Sequence, residues 1–306
     1  APVTVVCATS GDTGAATAAT FANVPGTSAF ILYPKDGVST VQENQIAGTG
    51  ADNVYALPIS GSFYDAQAAV KLVLKQERSV KERLLVSANS INVVRLVAQV
   101  AYWAWLLTSD GVDECEVVIP TGNMGNAFSY WLAARALGKR PRLMLATNAN
   151  AGLANLVIGH GYSARPVVKT LATAMDIARP SNLDRFLYYM AKDCHVSFGR
   201  NYVFDRLVFA AAIDWSAWGI EAASVEDCHI AATVEGAARL VGYDLDPHTA
   251  CGVYAACNHS LYREHIVAET ALASKLKPAD PSPARRVFSL RGYLPDALTK
   301  FIEAHE

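Results

Sequence analysis

The sequence predicts an α/β protein built from two doubly wound parallel-sheet domains, and three observations carry that expectation. Strand-like and helix-like segments alternate through the first third of the chain, the pattern of repeated βα units. The apolar strand Val3 to Ala8 runs into a glycine turn, Ser10-Gly11-Asp12-Thr13-Gly14, that opens a helix. A second apolar strand, Val117 to Pro120, runs into another, Thr121-Gly122-Asn123-Met124-Gly125-Asn126. Each turn is an expected anion site: paired glycines let backbone N–H groups approach a ligand, and the helix start adds unpaired donors and a positive dipole end. Two such cradles call for a ligand, or ligands, with two anionic ends.

Taken in order, the first third reads as strand Val3 to Ala8, helix Thr13 to Asn23, strand Ser28 to Tyr33, helix Val38 to Ala47, strand Asn53 to Ile59 and helix Phe63 to Arg78. Ligands of such sheets lie beyond the carboxyl ends of the strands, where the first glycine turn and Tyr33-Pro34-Lys35 fall. Asn89-Ser90-Ile91-Asn92 then opens an apolar-spaced helix that carries Arg95. Arg95 lies one turn in from that polar start, where it either points back to a phosphate or is a solvated or salt-bridged side chain; spacing does not choose. Helix Asn126 to Leu137, strand Arg142 to Thr147 and the polar loop Asn148 to Gly152 continue the rhythm. Pro180-Ser181-Asn182 breaks it, with Ser181 or Asn182 able to cap a helix from Leu183 to Lys192. A mostly helical region follows. Ser224-Val225-Glu226-Asp227 reads as a capping-box-like start of a helix reaching Leu240. Asp246-Pro247-His248-Thr249 opens another helix, whose start would present the Thr249 hydroxyl. Lys275 to Ala284 reads as a linker, Val287 to Leu290 as a last strand and Pro295 to Ala304 as a last helix. The boundary falls near residues 86 to 92. It gives a small α/β domain, 1–88, and a larger one, 89–306, with a ligand crevice between them.

Composition narrows the function classes. The 306 residues are 52% hydrophobic and 18% charged, enough for a sizeable core, and the formal charge is −2 with no run of like charges. That excludes a polyanion surface, so no nucleic-acid partner is expected. Apolar runs such as Leu96 to Leu107 fall short of the roughly 18 residues of a membrane span. The opening residues lack the basic and apolar regions of a signal peptide, so the default location is cytoplasmic. The six cysteines form no C-x-x-C pair and read as buried free thiols; Cys194-His195 and Cys228-His229 are poor candidates for a thiolate with its base, because such pairs meet in space rather than in sequence. No metal site is expected. Gly11 and Gly14 lack a preceding G-x-G, and no glycine turn is followed by a Walker Lys-Ser/Thr, so neither NAD nor ATP is favoured.

Seven ordered blocks carry a family resemblance: Ala8 to Gly14, Tyr33-Pro34-Lys35, Asn89 to Asn92 with Arg95, Pro120 to Asn126, Ala146-Thr147-Asn148, Met175-Asp176-Ile177 with Pro180-Ser181-Asn182, and Asp246 to Ala250. Together they resemble threonine synthase, a pyridoxal-phosphate enzyme of the tryptophan-synthase-β fold type. The resemblance implies a lyase of threonine biosynthesis that takes O-phosphohomoserine and water to threonine and phosphate. It implies pyridoxal 5'-phosphate as cofactor and a homodimer as assembly. Gly122, Asn123, Met124, Gly125 and Asn126 match the loop around the cofactor phosphate, and Thr249 matches the residue hydrogen-bonded to the pyridine nitrogen. A neutral hydroxyl there is expected to favour a protonated ring only weakly. Ser10, Gly11, Asp12 and Thr13 match the substrate-facing loop. Lys35, Asn89, Ser90, Asn92 and Arg95 are candidates for the substrate's phosphate or carboxylate. The plainer readings stay beside these: Lys35 as a surface lysine, Asn92 as a helix cap.

The chain departs from the family pattern in two places. The family's Schiff-base lysine lies in a Phe-Lys-Asp segment upstream of the first glycine turn, and no Phe-Lys-Asp occurs here. The expectation is therefore a threonine synthase chain that starts after its N-terminal segment and is nearly inactive alone, with no catalytic residue assigned. Phe288 to Pro295 stands where the family has His-Pro-Ala-Lys-Phe. Two alternatives remain open: a non-catalytic binder of pyridoxal phosphate or an amino-acid phosphate, and a related phospho-lyase or dehydratase.

Overall fold

The computed structural model describes residues 2–76, 79–80, 83–162, 165–195, 210, 212–260, 262, 264–271 and 286–305. Strand β1 (Val3–Ala8) is buried from Thr4 onward, as an apolar run without alternation requires when both faces are covered. It lies between β2 (Thr27–Pro34) and β5 (Arg83–Ser87), both parallel to it, with Val5 opposite Ala29 and Val86. The sheet order is β3-β2-β1-β5-β4, where β3 (Val54–Ile59) is parallel to β2 and the two-residue β4 (Ser79–Val80) is antiparallel to β5. Helices α1 (Asp12–Phe21), α2 (Thr40–Ala47) and α3 (Phe63–Gln76) connect the strands. Ser39 caps α2 through a full capping box with Gln42. β4 and β5 were not expected from the sequence: one is two residues long, and the other opens on Arg83 and alternates too briefly to give a period.

The described C-terminal residues group with this sheet rather than with the larger domain in which the sequence reading placed them. The Phe288 N–H donates to the Ala56 carbonyl at 2.9 Å, and Val287 forms a single parallel bridge with Ala56. That bridge is what remains of the expected strand Val287 to Leu290. Tyr55 stacks on Phe30 at 4.6 Å and meets Phe288 at 5.3 Å and Phe301, on helix α10 (Leu294–His305), at 5.9 Å. Aromatic burial therefore fixes Phe288 in a packing role. The expected linker, Lys275 to Ala284, lies outside the described residues. The first unit thus runs to Asn92 and takes in residues 286–305, and the second begins at Val93.

The second unit is a parallel sheet in the order β8-β7-β6-β9, formed by β6 (Glu116–Pro120), β7 (Leu143–Thr147), β8 (Ile220–Ser224) and β9 (His265–Val267). Its helices are α4 (Val93–Leu107), α5 (Gly125–Ala136), α6 (Gly152–Val157), α7 (Leu183–Asp193), α8 (Asp227–Val241) and α9 (Pro247–His259). Phe128, Trp131, Phe186 and Trp215 form the aromatic centre of its core, with Phe186 stacked on Trp215 at 6.0 Å. β8 and β9 were missed because Ile-Glu-Ala-Ala-Ser and His-Ile-Val are short and poor in strand-forming signal. Ser224 accordingly ends a strand and donates to the Asn148 carbonyl, while α8 starts at Asp227 behind Glu226. The cysteines form no disulfide, and only Cys7 and Cys251 are buried; Cys194, Cys228 and Cys257 are exposed on helices or their ends. Among the described residues no helix is long and apolar enough to cross a membrane.

Candidate functional site

In the second unit the carboxyl end of β6 leads into the turn at residues 121–126. The Thr121 N–H donates to the Ala146 carbonyl, which aligns this turn with the end of β7. Met124 then takes a left-handed conformation, φ 62°, and α5 starts at Gly125 without a side-chain cap. Among the described residues the backbone N–H groups of residues 122–127 have no protein acceptor, and the first one used is that of Phe128, which donates to Met124. Six successive donors left open at a helix start make an anion cradle.

The cradle is braced from both sides. Asn123 accepts at Oδ1 from the Ser181 N–H, 3.2 Å, and its carbonyl accepts from the Asn182 N–H and side-chain amide, 3.3 and 3.0 Å. Ser181 and Asn182 therefore serve the turn, and α7 starts with no side-chain cap. The Ser181 hydroxyl oxygen is buried without a hydrogen-bond partner. Asn126 turns its side-chain oxygen to α4, accepting from Tyr102 Oη at 2.6 Å and Trp103 Nε1 at 2.7 Å. Burial raises the Tyr102 pKa, with the Arg95 cation acting against it. Asn126 can thus offer a ligand its backbone N–H, while its side-chain oxygen is committed to α4.

The start of α9 stands on the same sheet. Gly252 permits this, since a Cβ there would lie 2.9 Å from Val267 Cγ1 and 3.0 Å from Pro120 Cγ, which brings the helix against the ends of β6 and β9. Asp246 is the cap, accepting from the His248 and Thr249 N–H groups, with Pro247 in the first turn. The Thr249 hydroxyl donates to Asp246 Oδ2 and accepts from the Thr270 N–H at 3.0 Å. Burial pushes the Asp246 carboxyl up, but the bonds from His248 and Thr249 outweigh it and hold the pKa at about 2. His248 Nε2 accepts from the Ala174 N–H at 3.1 Å, so the ring proton lies on Nδ1, toward Asp246. Nearby, Asn148, Asn150, Thr170 and Asp176 form a hydrogen-bonded cluster at the end of β7, in which burial raises the Asp176 carboxyl.

In the first unit the residues expected to face a substrate end the parallel strands together. The Thr9 N–H donates to Leu32, Lys35 to Ile59 and Ala88 to Val6, which places the turn at 9–14, Lys35 and Asn89 to Asn92 on one sheet edge. The glycine N–H groups of the turn are not open. Thr9 Oγ1 accepts from Gly11 and Gly14, both at 2.9 Å, so Gly11 shapes the loop while Thr9 takes its donor. The expectation that both glycines offer N–H groups to a ligand is corrected here. Gln42 packs over Gly11 and donates to Asp12 Oδ1 at 2.8 Å. Asn89 is buried, its side chain pairing with both the N–H and carbonyl of Ala8, and Asn92 donates to the Ser87 carbonyl at 3.0 Å. Both amides hold strand ends in place. Ser10, Asp12 and Thr13 are partly exposed and Lys35 is exposed. Arg95 sits in the first turn of α4, in the second unit.

Sequence reasoning missed Gln42, Ser181, Asp246, His248 and Thr270 as parts of these constellations. Ser39-x-x-Gln42 was a readable capping box and Asp246-Pro247 a readable cap, whereas the bond from Thr270 joins residues far apart in sequence.

A family model described as "Pyridoxal-phosphate dependent enzyme" matches residues 1–198. The chain belongs to that family. Pyridoxal phosphate is accordingly its cofactor, and its relatives narrow the likeness. The chain is 31% identical over 290 residues to threonine synthase of Pseudomonas aeruginosa, covering 90% of this chain but 61% of that protein. It therefore spans about six-tenths of that relative's length. A pyridoxal-phosphate-bound threonine synthase from Brucella melitensis superposes with a TM-score of 0.78 at 30% identity, covering 99% of this chain and 70% of that one. Threonine synthase from Escherichia coli gives 0.80 at 26% identity, covering 100% and 71%. This member of the pyridoxal-phosphate enzymes is threonine-synthase-like in sequence and fold.

Proposed function

We propose that the chain carries the cofactor cradle and the substrate-facing turn of a threonine synthase, acting on O-phosphohomoserine and water to give threonine and phosphate. The supporting observation is the run of open N–H groups at residues 122–127 beside the buried, unpartnered Ser181 hydroxyl. That donor set fits a phosphate dianion, which prefers backbone N–H groups at a helix start and neutral hydroxyl donors. Gly122, Asn123, Met124, Gly125 and Asn126 would hold the cofactor's phosphate through their N–H groups, and Thr249 would meet the ring nitrogen. When bound, pyridoxal phosphate supplies an electron sink for carbanion chemistry on an amino-acid substrate.

The chain's own residues bind and orient. Ser10, Asp12 and Thr13 line the first-unit turn, which Thr9 and Gln42 keep rigid, and Lys35 and Ser90 stand on the same edge to meet the substrate's anionic groups. Arg95 carries the same assignment from α4. Gly11, Asn89 and Asn92 act by holding the loops in place. The reading includes cytoplasmic work on a small-molecule substrate, with no nucleic-acid or membrane partner, and a homodimer, which sedimentation velocity tests.

The function is tested by supplying pyridoxal phosphate and O-phosphohomoserine to the protein that carries this chain, purified from its source, and following phosphate and threonine. Stoichiometric release of both supports the proposal. Preferred turnover of O-phosphoserine or threonine replaces it with the phospho-lyase or dehydratase reading. Cofactor binding without turnover of any of the three replaces it with the non-catalytic binder.

A further inference from the structure

The Asp246 carboxylate collects an unusual number of donors for a helix cap. It is 2% exposed and accepts from the His248 N–H and Nδ1, both at 2.9 Å, from the Thr249 N–H, from the Thr249 hydroxyl and from the Thr270 hydroxyl at 3.2 Å. A cap needs only the backbone bonds. The side-chain donors fix directions: with Nε2 occupied by the Ala174 N–H, His248 can turn only a donor toward Asp246.

The consequence falls on Thr249. Its single hydroxyl proton goes to Asp246, one of its two lone pairs takes the Thr270 N–H at 3.0 Å, and the Thr270 hydroxyl, 3.1 Å from it, turns its own proton to Asp246 instead. What Thr249 has left for a ligand is one acceptor lone pair. A bare pyridine nitrogen would set lone pair against lone pair. To donate instead, Thr249 would have to withdraw its proton from a buried carboxylate, a charge-assisted bond of the stronger class. A pyridinium N–H meets neither obstacle.

We infer that Asp246 is a positioning residue that locks the Thr249 hydroxyl as an acceptor, so that the ring nitrogen of pyridoxal 5'-phosphate is held there in its protonated form. This rests on the reading that Thr249 meets that nitrogen. It revises the expectation drawn from the Thr249 hydroxyl alone: the partner is neutral, but an ionised carboxylate stands behind it, and a protonated ring is a stronger electron sink.

The test is the 15N chemical shift of pyridoxal phosphate labelled at the ring nitrogen, bound to the whole chain and followed against pH. The wild-type protein is expected to show the protonated-ring shift at about pH 7 and to keep it to higher pH than Asp246→Asn, whose ring nitrogen titrates about one to three units lower, the range for loss of a nearby opposite charge. Thr249→Ser, which keeps the hydroxyl, should resemble wild type, and Thr249→Val should titrate as low as Asp246→Asn or lower. An unprotonated ring in the wild type at about pH 7 overturns the inference whatever the variants do. So does an Asp246→Asn profile equal to wild type while Thr249→Val is shifted, which leaves Thr249 at the nitrogen but removes Asp246 from the role. Absence of a shift in Thr249→Val, or no binding of the cofactor by wild type, overturns the Thr249 reading itself. Should Asp246→Asn fail to fold, the wild-type shift and the Thr249 pair still decide.

Discussion

Gly122 faces Met175 so closely that a Cβ on the glycine would lie 3.0 Å from the Met175 Cα and 3.1 Å from the Ala174 carbonyl oxygen. The Ala174 N–H in turn is held by His248, and His248 by Asp246. The cradle at the end of β6 and the start of α9 therefore share one support, the short segment Thr173–Met175.

A methyl group on Gly122 has backbone in its way, so either the cradle or that segment must shift. Gly122→Ala is expected to cost about 1–3 kcal/mol of stability, the usual range for overpacking, and to weaken pyridoxal phosphate binding about tenfold or more. Urea unfolding and a fluorescence titration of the cofactor check the two parts separately.

Ser181→Ala gives the opposite pairing. Its hydroxyl is already buried without a partner, so removing it should leave stability unchanged or raised by up to about 1 kcal/mol. If the hydroxyl donates to the cofactor's phosphate, affinity should fall about tenfold. Loss of stability with unchanged affinity would remove Ser181 from the site.

Gln42→Ala removes the side chain that packs over Gly11 and bonds Asp12. Pyridoxal phosphate affinity should stay as in wild type, because the cradle belongs to the second unit, while the apparent affinity for O-phosphohomoserine should fall several-fold as the first-unit turn loosens. A changed cofactor affinity would contradict this division of labour.

These cases mark what was legible in the sequence. Both glycine turns could be read because a strand, a glycine pair and a helix start are local signals, and the backbone N–H groups of Gly122 to Asn126 are open. The same pattern misled at the first turn, since a neighbouring hydroxyl, Thr9, was free to take the Gly11 and Gly14 N–H groups. Asn89 and Asn92 looked like ligand amides because sequence gives residue type and place, not the carbonyl each amide will find. Ser224 had the spacing of a cap, yet the chain stays extended there to pair with Thr147 at the edge of the sheet. Partners distant along the chain, such as Thr249 with Thr270 and Ala174 with His248, leave no periodic trace.

Acid should reveal the Asp246 cluster. The folded carboxyl titrates at about 2 against 3.8 for the free group, so its contribution is fully present above about pH 4 and is lost as pH falls through about 2. That difference corresponds to about 2 kcal/mol. Asp176 and Glu116 act with the opposite sign: burial raises both, so they favour the folded state when protonated and their contribution is lost as pH rises. The Asp246 part is isolated by comparing wild type with Asp246→Asn in urea at about pH 6 and about pH 2. The gap between the two proteins should shrink toward acid, and a constant gap would contradict the assignment.

The most direct test of the phosphate cradle is to compare binding of pyridoxal 5'-phosphate with binding of pyridoxal, which lacks the phosphate, by the same protein. Residues 122–127 and Ser181 should favour the phosphorylated form by at least about a hundredfold, some 2.7 kcal/mol for a dianion held by several charge-assisted bonds. Equal affinity for the two would mean that the open N–H groups at the end of β6 hold no phosphate.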